Sequence, residues 1–235
     1  MCGRYSLAAP NPAFVRERFQ LGADAPVEPR FNIAPTQDVV AVTTDRDGAR
    51  RPDVLRWGLV PFWSKGPESG PKMINARAET LEERPAFRDA LERRRCLIVA
   101  DGFYEWQPRL HGPKQPWWIT RADAEPFAFA GLWASWRPEP DAPALRTCTI
   151  ITTAANDALR DVHDRMPVIL PRDAEQPWLT EADPGAALSL LRALPGDEVT
   201  RVPVSAAVND VRHDAPDCIA PVSLPPDEPR EPSLF

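Results

Sequence analysis

Leu97-Ile98-Val99-Ala100-Asp101-Gly102-Phe103-Tyr104-Glu105-Trp106 is the stretch on which the architecture turns. Its first four residues read as a continuous apolar strand. Gly102 then permits a bend or bulge, and Glu105 falls among aromatic side chains. A carboxylate in such company is costly to ionise, so its pKa is expected to rise and make it a candidate proton donor. A glutamate paired with one of the chain's many arginines fits the same pattern.

Outward toward the N-terminus, Pro85 suits the first turn of a helix reaching about Arg94, whose basic end Arg93-Arg94-Arg95 complements the helix dipole. Met73–Glu79 reads as a strand, with Ile74, Ala76 and Ala78 on one face and Asn75, Arg77 and Glu79 on the other. That polar row is either a solvated sheet face or an aligned amide, guanidinium and carboxylate. Ser64–Lys72, rich in Gly and Pro, reads as an exposed loop. Strands are expected at Val54–Val60 and Asp38–Thr44, with a turn at Asp47-Gly48. Arg30–Thr36 is irregular, Asn11-Pro12 opens a helix through about Phe19, and Cys2–Leu7 is strand-like.

Toward the C-terminus, Trp117–Thr120, Phe127–Trp136 and Thr147–Thr153 are apolar and β-prone. Asn156–Leu159 begins a short helix or turn. His163, one of three histidines, sits in a polar loop just before a strand, as a structural residue or a catalyst. Helices are expected from Asp173 to Leu179 and from Pro184 to Leu194, then a strand Val199–Val204, a turn Ser205–Val211 and a last strand Ile219–Val222. Residues 223–235, dominated by Pro, Asp and Glu, read as a disordered tail. No repeat or linker interrupts 2–222, which reads as one domain.

The chain begins Met1-Cys2-Gly3-Arg4. Residue 2 is small, so Met1 is expected to be removed, leaving Cys2 as the mature N-terminus. A terminal cysteine carries an α-amine, whose reference pKa is about 7.7–8.0, and a thiol on the adjacent carbon. With an aldehyde the amine forms a Schiff base and the thiol closes on the same carbon, giving a thiazolidine. An internal cysteine cannot do this.

Composition sets the remaining bounds. The 235 residues are 43% hydrophobic and 26% charged, as in a soluble globular protein. Neither a signal peptide nor an apolar run of about 18–20 residues is present, so a cytoplasmic protein is expected. Cys2, Cys96, Cys148 and Cys218 are too dispersed for a disulfide framework or metal site, and Cys96 and Cys148 fit buried core thiols. A net charge of −6 argues weakly against nucleic acid, although phosphate binding needs only a local basic stripe.

Six ordered motifs carry a family resemblance: Cys2-Gly3-Arg4-Tyr5; Phe31-Asn32-Ile33-Ala34-Pro35-Thr36-Gln37; Trp57-Gly58-Leu59-Val60-Pro61; Ile74-Asn75-Ala76-Arg77-Ala78-Glu79-Thr80; Asp101-Gly102-Phe103-Tyr104-Glu105-Trp106; and His163-Asp164-Arg165-Met166-Pro167. In this order and spacing the chain resembles the SRAP family (SOS response-associated peptidase, or abasic-site processing proteins) over residues 2–222. The resemblance implies a single α+β domain in which mixed β-sheets form a pseudo-barrel with peripheral helices. It implies an abasic-site sensor in single-stranded DNA that makes a covalent crosslink through Cys2. Asn75 is then expected to hold the amine and sugar in register, and Glu105 and His163 to exchange protons. Arg4 and Arg77 are expected to contact phosphates, with Asn32, Pro35 and Trp63 along the DNA groove. No cofactor, metal or membrane is implied; the protein is expected to be a monomer, nucleoid-associated when bound to DNA. Two rival readings are an N-terminal cysteine peptidase, including autoprocessing, and a non-catalytic single-strand-binding module. Schiff-base chemistry also allows a weak abasic-site lyase.

Overall fold

A computed structural model of the chain describes residues 2–23 and 25–224. The β-prone runs become thirteen strands among these residues: β1 (Tyr5–Leu7), β2 (Arg30–Ile33), β3 (Asp38–Thr44), β4 (Arg50–Trp57), β5 (Asn75–Arg77), β6 (Arg95–Ala100), β7 (Gly102–Gln107), β8 (Gln115–Arg121), β9 (Phe127–Trp136), β10 (Leu145–Ala154), β11 (Arg165–Pro167), β12 (Ile169–Leu170) and β13 (Val199–Pro203). Helices α1 (Pro12–Phe19), α2 (Pro85–Arg93), α3 (Arg172–Thr180) and α4 (Pro184–Ser189) accompany them.

Strands β10, β4, β3, β6 and β9 pair in that order, and β9 returns to β10, closing a five-stranded barrel. The β4–β10 contact is parallel and the other barrel pairings are antiparallel. A second, antiparallel sheet runs β13-β8-β7-β1-β2. The chain is thus α+β with a barrel of mixed strands, as the resemblance implies. Leu97–Trp106 joins the two layers. Its apolar half, fully buried as β6, is a barrel stave, and its second half is β7 of the other sheet. Gly102 is needed at the crossing, because a Cβ there would lie 2.2 Å from the Trp118 indole nitrogen. That nitrogen donates to Ser6 Oγ at 2.9 Å and so ties β8 to β1.

The core joins the barrel to the second sheet. Tyr5 packs edge-on against Trp57 and Phe129, and Phe129 against Phe103 and Phe127, contacts that add to the burial of their large apolar area. Outside, α3 docks through a buried ionic cluster: the Glu175 carboxylate, 1% exposed, accepts from Arg18 of α1 at 3.0 Å and from Arg50 of β4 at 3.2 Å. Removing one member of such a cluster strands buried charge at a cost of about 3–5 kcal/mol. Glu175→Ala is therefore expected to lower the thermal midpoint by about 10 °C; a scanning calorimetry midpoint within 2 °C of wild type, against that rough scale, would contradict this.

The differences from expectation have local causes. The strand expected at Val54–Val60 ends at Trp57, where Gly58 turns to φ +126° and its backbone meets that of Gly70 too closely for a Cβ on either residue. The strand expected over Met73–Glu79 shortens to Asn75–Arg77, the three residues that pair with Ile150–Thr152 of β10, and Ala78–Thr80 form a 3-10 turn. The second helix stops at Ser189, yet Ala187, Leu191 and Leu194 are buried; the helical spacing located the buried positions rather than the helix end. Ile219–Val222 is not a strand. A 3-10 turn at Pro216–Cys218 leads to a single bridge, Val204 to Pro221, and Pro221 has no N–H with which to extend a ladder. Cys96 and Cys148 are buried free thiols. Most of the expected tail, 225–235, lies outside the described residues. No described helix is long and apolar enough to cross a membrane.

Candidate active site at the chain start

β1 is held on both edges, by β2 and β7. Asp101, at the crossing, accepts from Ser6 Oγ at 2.7 Å and from the Ala8 N–H at 2.6 Å. The Tyr104 N–H reaches the Arg4 carbonyl at 3.0 Å, extending the ladder past the end of β1. Residues 2–4 are thereby carried inward, and Cys2 is fully buried. Its carbonyl accepts from Asn75 Nδ2 at 2.7 Å, a bond to the chain start from β5, the short strand beside β10. Cys2 therefore lies where the two sheets meet.

Glu105 of β7, 4% exposed, stands opposite Trp117 of β8. Burial pushes its carboxyl up to about 7, the nearby Asp164 charge acts in the same direction, and the amino-terminal charge and Lys114 oppose them. The Cys2 thiol is pushed well above its ordinary value by burial and then by the Glu105 charge. His163 is held below its ordinary value, first by burial and then by the amino-terminal charge. The amino-terminal charge thus acts on Cys2, Glu105 and His163 alike. Nδ1 of His163 accepts from the Arg165 N–H at 3.0 Å and also lies 2.8 Å from Asp164 Oδ1. The Arg165 N–H favours a proton-free Nδ1 and the Asp164 carboxylate a protonated one; together they fix the place of the ring, while its lowered pKa favours the neutral form.

These groups suit amine–carbonyl chemistry at neutral pH. A carboxyl poised near 7 can give and take a proton. The imidazole is neutral, and the thiol is protonated until a base removes its proton. The arrangement does not suit a thiolate, which needs an electropositive, partly exposed setting.

Asn75 also opens onto a cleft of about 360 Å³ lined by Lys72, Arg77 and Arg84. Ala86 of α2 lines both this cleft and the neighbouring shelf that carries Phe62 and Trp63, which are 57% and 55% exposed. The cleft thus gathers cations beside Cys2 and adjoins two flat, exposed aromatic rings. Lys72, Arg84 and Phe62 were not singled out in the sequence; among 28 basic residues only folding shows which three converge.

Two expected phosphate or groove contacts sit elsewhere. Arg4 is turned inward, its Nη1 donating to Asn32 Oδ1 at 2.8 Å and to the Val208 carbonyl at 2.7 Å. Asn32, also buried, donates to the Val208, Asp210 and His213 carbonyls. Both brace residues 208–213 against β1 and β2 rather than facing an open groove, because the carbonyls of that loop have no strand partners. Pro35 is half-buried in the turn after β2, beside Thr36, which takes φ 74° and donates to the Trp57 carbonyl at 2.8 Å.

The one gathering of three potential metal ligands among the described residues is His213, Asp217 and Cys218, within 4.8 Å of one another. The His213 ring is 2.8 Å from Asp217, and the Cys218 thiol donates to the His213 carbonyl at 3.4 Å. That corner already satisfies itself.

Comparison with known proteins places the chain in a family. The family model for SOS response associated peptidase (SRAP) matches residues 1–211. "Abasic site processing protein YoqW" of Bacillus subtilis is 41% identical over 224 residues, covering 93% of this chain and 99% of that one. "Abasic site processing protein YedK" of Escherichia coli is 30% identical over 231 residues, covering 94% and 100%. A crystal structure of a Bacteroides thetaiotaomicron protein shares the fold at TM-score 0.83 and 24% identity, covering 94% of this chain and 100% of that one. A Bordetella bronchiseptica protein aligns at TM-score 0.72 and 30% identity, covering 87% and 100%. With a family match over residues 1–211 and a relative 41% identical over 93% of its length, the chain belongs to the SRAP family.

Proposed function

We propose that the protein processes abasic sites in single-stranded DNA by forming a covalent thiazolidine between Cys2 and the open-chain sugar. The names of its relatives, abasic site processing proteins, give the substrate class. The observation that carries the chemistry is the buried junction where Asn75 holds the Cys2 carbonyl and a carboxyl of pKa about 7 stands nearby.

Removal of Met1 turns a blocked amide into a free amine. That amine adds to the aldehyde carbon, the carbinolamine loses water, and the Cys2 sulfur adds to the resulting iminium carbon as its proton leaves. The net change is aldehyde plus aminothiol giving thiazolidine and water. Glu105 in its acid form assists ring opening of the sugar and loss of water; as carboxylate it then accepts the thiol proton. The His163 ring exchanges protons with the same oxygens. The amine acts first because the thiol's raised pKa keeps it protonated, which also disfavours the peptidase reading. The iminium stage permits β-elimination of the 3′ phosphate, a weak lyase side reaction.

Lys72, Arg77 and Arg84 hold the backbone, and Phe62 and Trp63 offer surfaces on which flanking bases stack. Selectivity rests on the aldehyde and on a junction with little room for a base. Arg77→Ala is expected to weaken binding of undamaged single strands and to reduce the slope of log K against log salt by about 0.7. An unchanged slope in a fluorescence anisotropy titration would remove Arg77 from the phosphate path. The test of the reaction itself is a denaturing gel: a shifted band with a glycosylase-treated, uracil-containing oligonucleotide, absent with undamaged DNA. Binding without covalent capture would favour a non-catalytic module, and cleavage of a peptide panel a protease.

A further inference from the structure

His163 has no strand of its own. It sits in the turn between β10 and β11, and its backbone N–H reaches only the Leu159 carbonyl of the same turn, at 3.0 Å. The turn is nevertheless fastened to the sheet that carries Glu105. Two residues before His163, Asp161 receives Arg201 of β13 through both guanidinium arms, at 2.7 and 3.0 Å. The same carboxylate accepts from Gln107 Nε2 at 3.1 Å, and Gln107 Oε1 accepts from the Trp117 indole at 3.0 Å. Arg201 lies over the Trp117 ring at 4.9 Å. Gln107 stands two residues beyond Glu105 on β7, and Trp117 is the residue paired with Glu105 across β8. The network therefore closes on the strand pair that frames the buried carboxyl.

We propose that Asp161 is a positioning residue, which through Gln107, Arg201 and Trp117 sets the reach of the His163 ring toward Glu105 and the chain start. This rests on the proposed reaction but adds residues that never touch the sugar. Exposed ion pairs contribute little to stability, and the Asp161 side chain is 53% exposed against Arg201 at 29%. The pairing therefore matters for geometry more than for holding the fold. A misplacement of about 1 Å in a reacting constellation can cost up to about 10²-fold in rate.

Asp161→Ala is expected to slow adduct formation with an abasic oligonucleotide about tenfold or more, with the melting midpoint nearly unchanged. In a His163→Gln background the same substitution should have no further effect, because the two act as one unit. An unaltered rate, or an equal loss in both backgrounds, overturns the proposal. A second measurement does not depend on the reaction. The titration midpoint of the His163 ring, followed by NMR, is expected below its ordinary value in the intact protein, where burial, the amino-terminal charge and Lys114 of the β7–β8 loop lower it and the Asp164 charge raises it. Loss of the Asp161 charge alone would lower the midpoint further; a released turn raises it toward the ordinary value of about 6.5. An upward shift supports the positioning role, and a downward or absent shift overturns it. Should the intact protein form no adduct, the proposed reaction fails while the ring titration still decides the role of Asp161.

Discussion

Cys2→Ala is expected to abolish the stable adduct while leaving a trappable one. The variant keeps a small residue 2, so its terminal amine is still released and still forms an imine, but no sulfur closes the ring. A denaturing gel without reductant should show no shifted band, and borohydride treatment should restore one. This outcome separates the two steps, since an imine exchanges with water and ring closure removes the C=N bond. If the variant gave a stable band without reductant, the thiol would have no part in the linkage. If borohydride restored nothing, the amine would not be the first nucleophile. The substitution also removes a fully buried side chain from the core, so a melting curve of the same sample must show it folded.

Glu105→Gln is expected to slow crosslinking by about 10²–10⁴-fold, the usual range for a general acid or base. The same change should stabilise the fold at alkaline pH. The carboxyl titrates at about 7 in the folded chain against 4.5 when unperturbed. The folded state thus binds the extra proton between those values, and stability falls as pH rises through that window, by about 3 kcal/mol in total. Glutamine cannot ionise, so the variant escapes that loss and should melt higher than wild type at pH 8. It should differ little at pH 4, where Glu105 is protonated in both states. Faster inactivation by heat at pH 8, or an unchanged crosslinking rate, would contradict the role given to Glu105. Slow chemistry joined to a firmer fold is the pattern expected of a group held against its preference for water.

What the sequence revealed depended on whether the signal was local. β3 and β9 matched their expected bounds, because each is a long β-prone run. The raised pKa of Glu105 was legible from its aromatic neighbours alone. The closed barrel was legible only through the family resemblance: it depends on β10 meeting β4 and β5 along one edge and β9 and β11 along the other, contacts between distant residues. Arg4 illustrates the limit at the site. An arginine beside the nucleophile reads as a phosphate contact, yet its nearest acceptors are the Asn32 amide oxygen and the Val208 carbonyl, 28 and 204 residues away. Lys72 and Arg84 show the reverse, since nothing in their own neighbourhood marks them until β5 and α2 bring them to one cleft.

The decisive measurement is the mass of the covalent product and the residue that carries it. Protein incubated with an abasic single strand should give a species equal to the chain without Met1, plus the oligonucleotide, less one water, with peptide mapping placing the linkage on residue 2. A chain that retains its initiator methionine, or a linkage mapped to a lysine, would contradict the account.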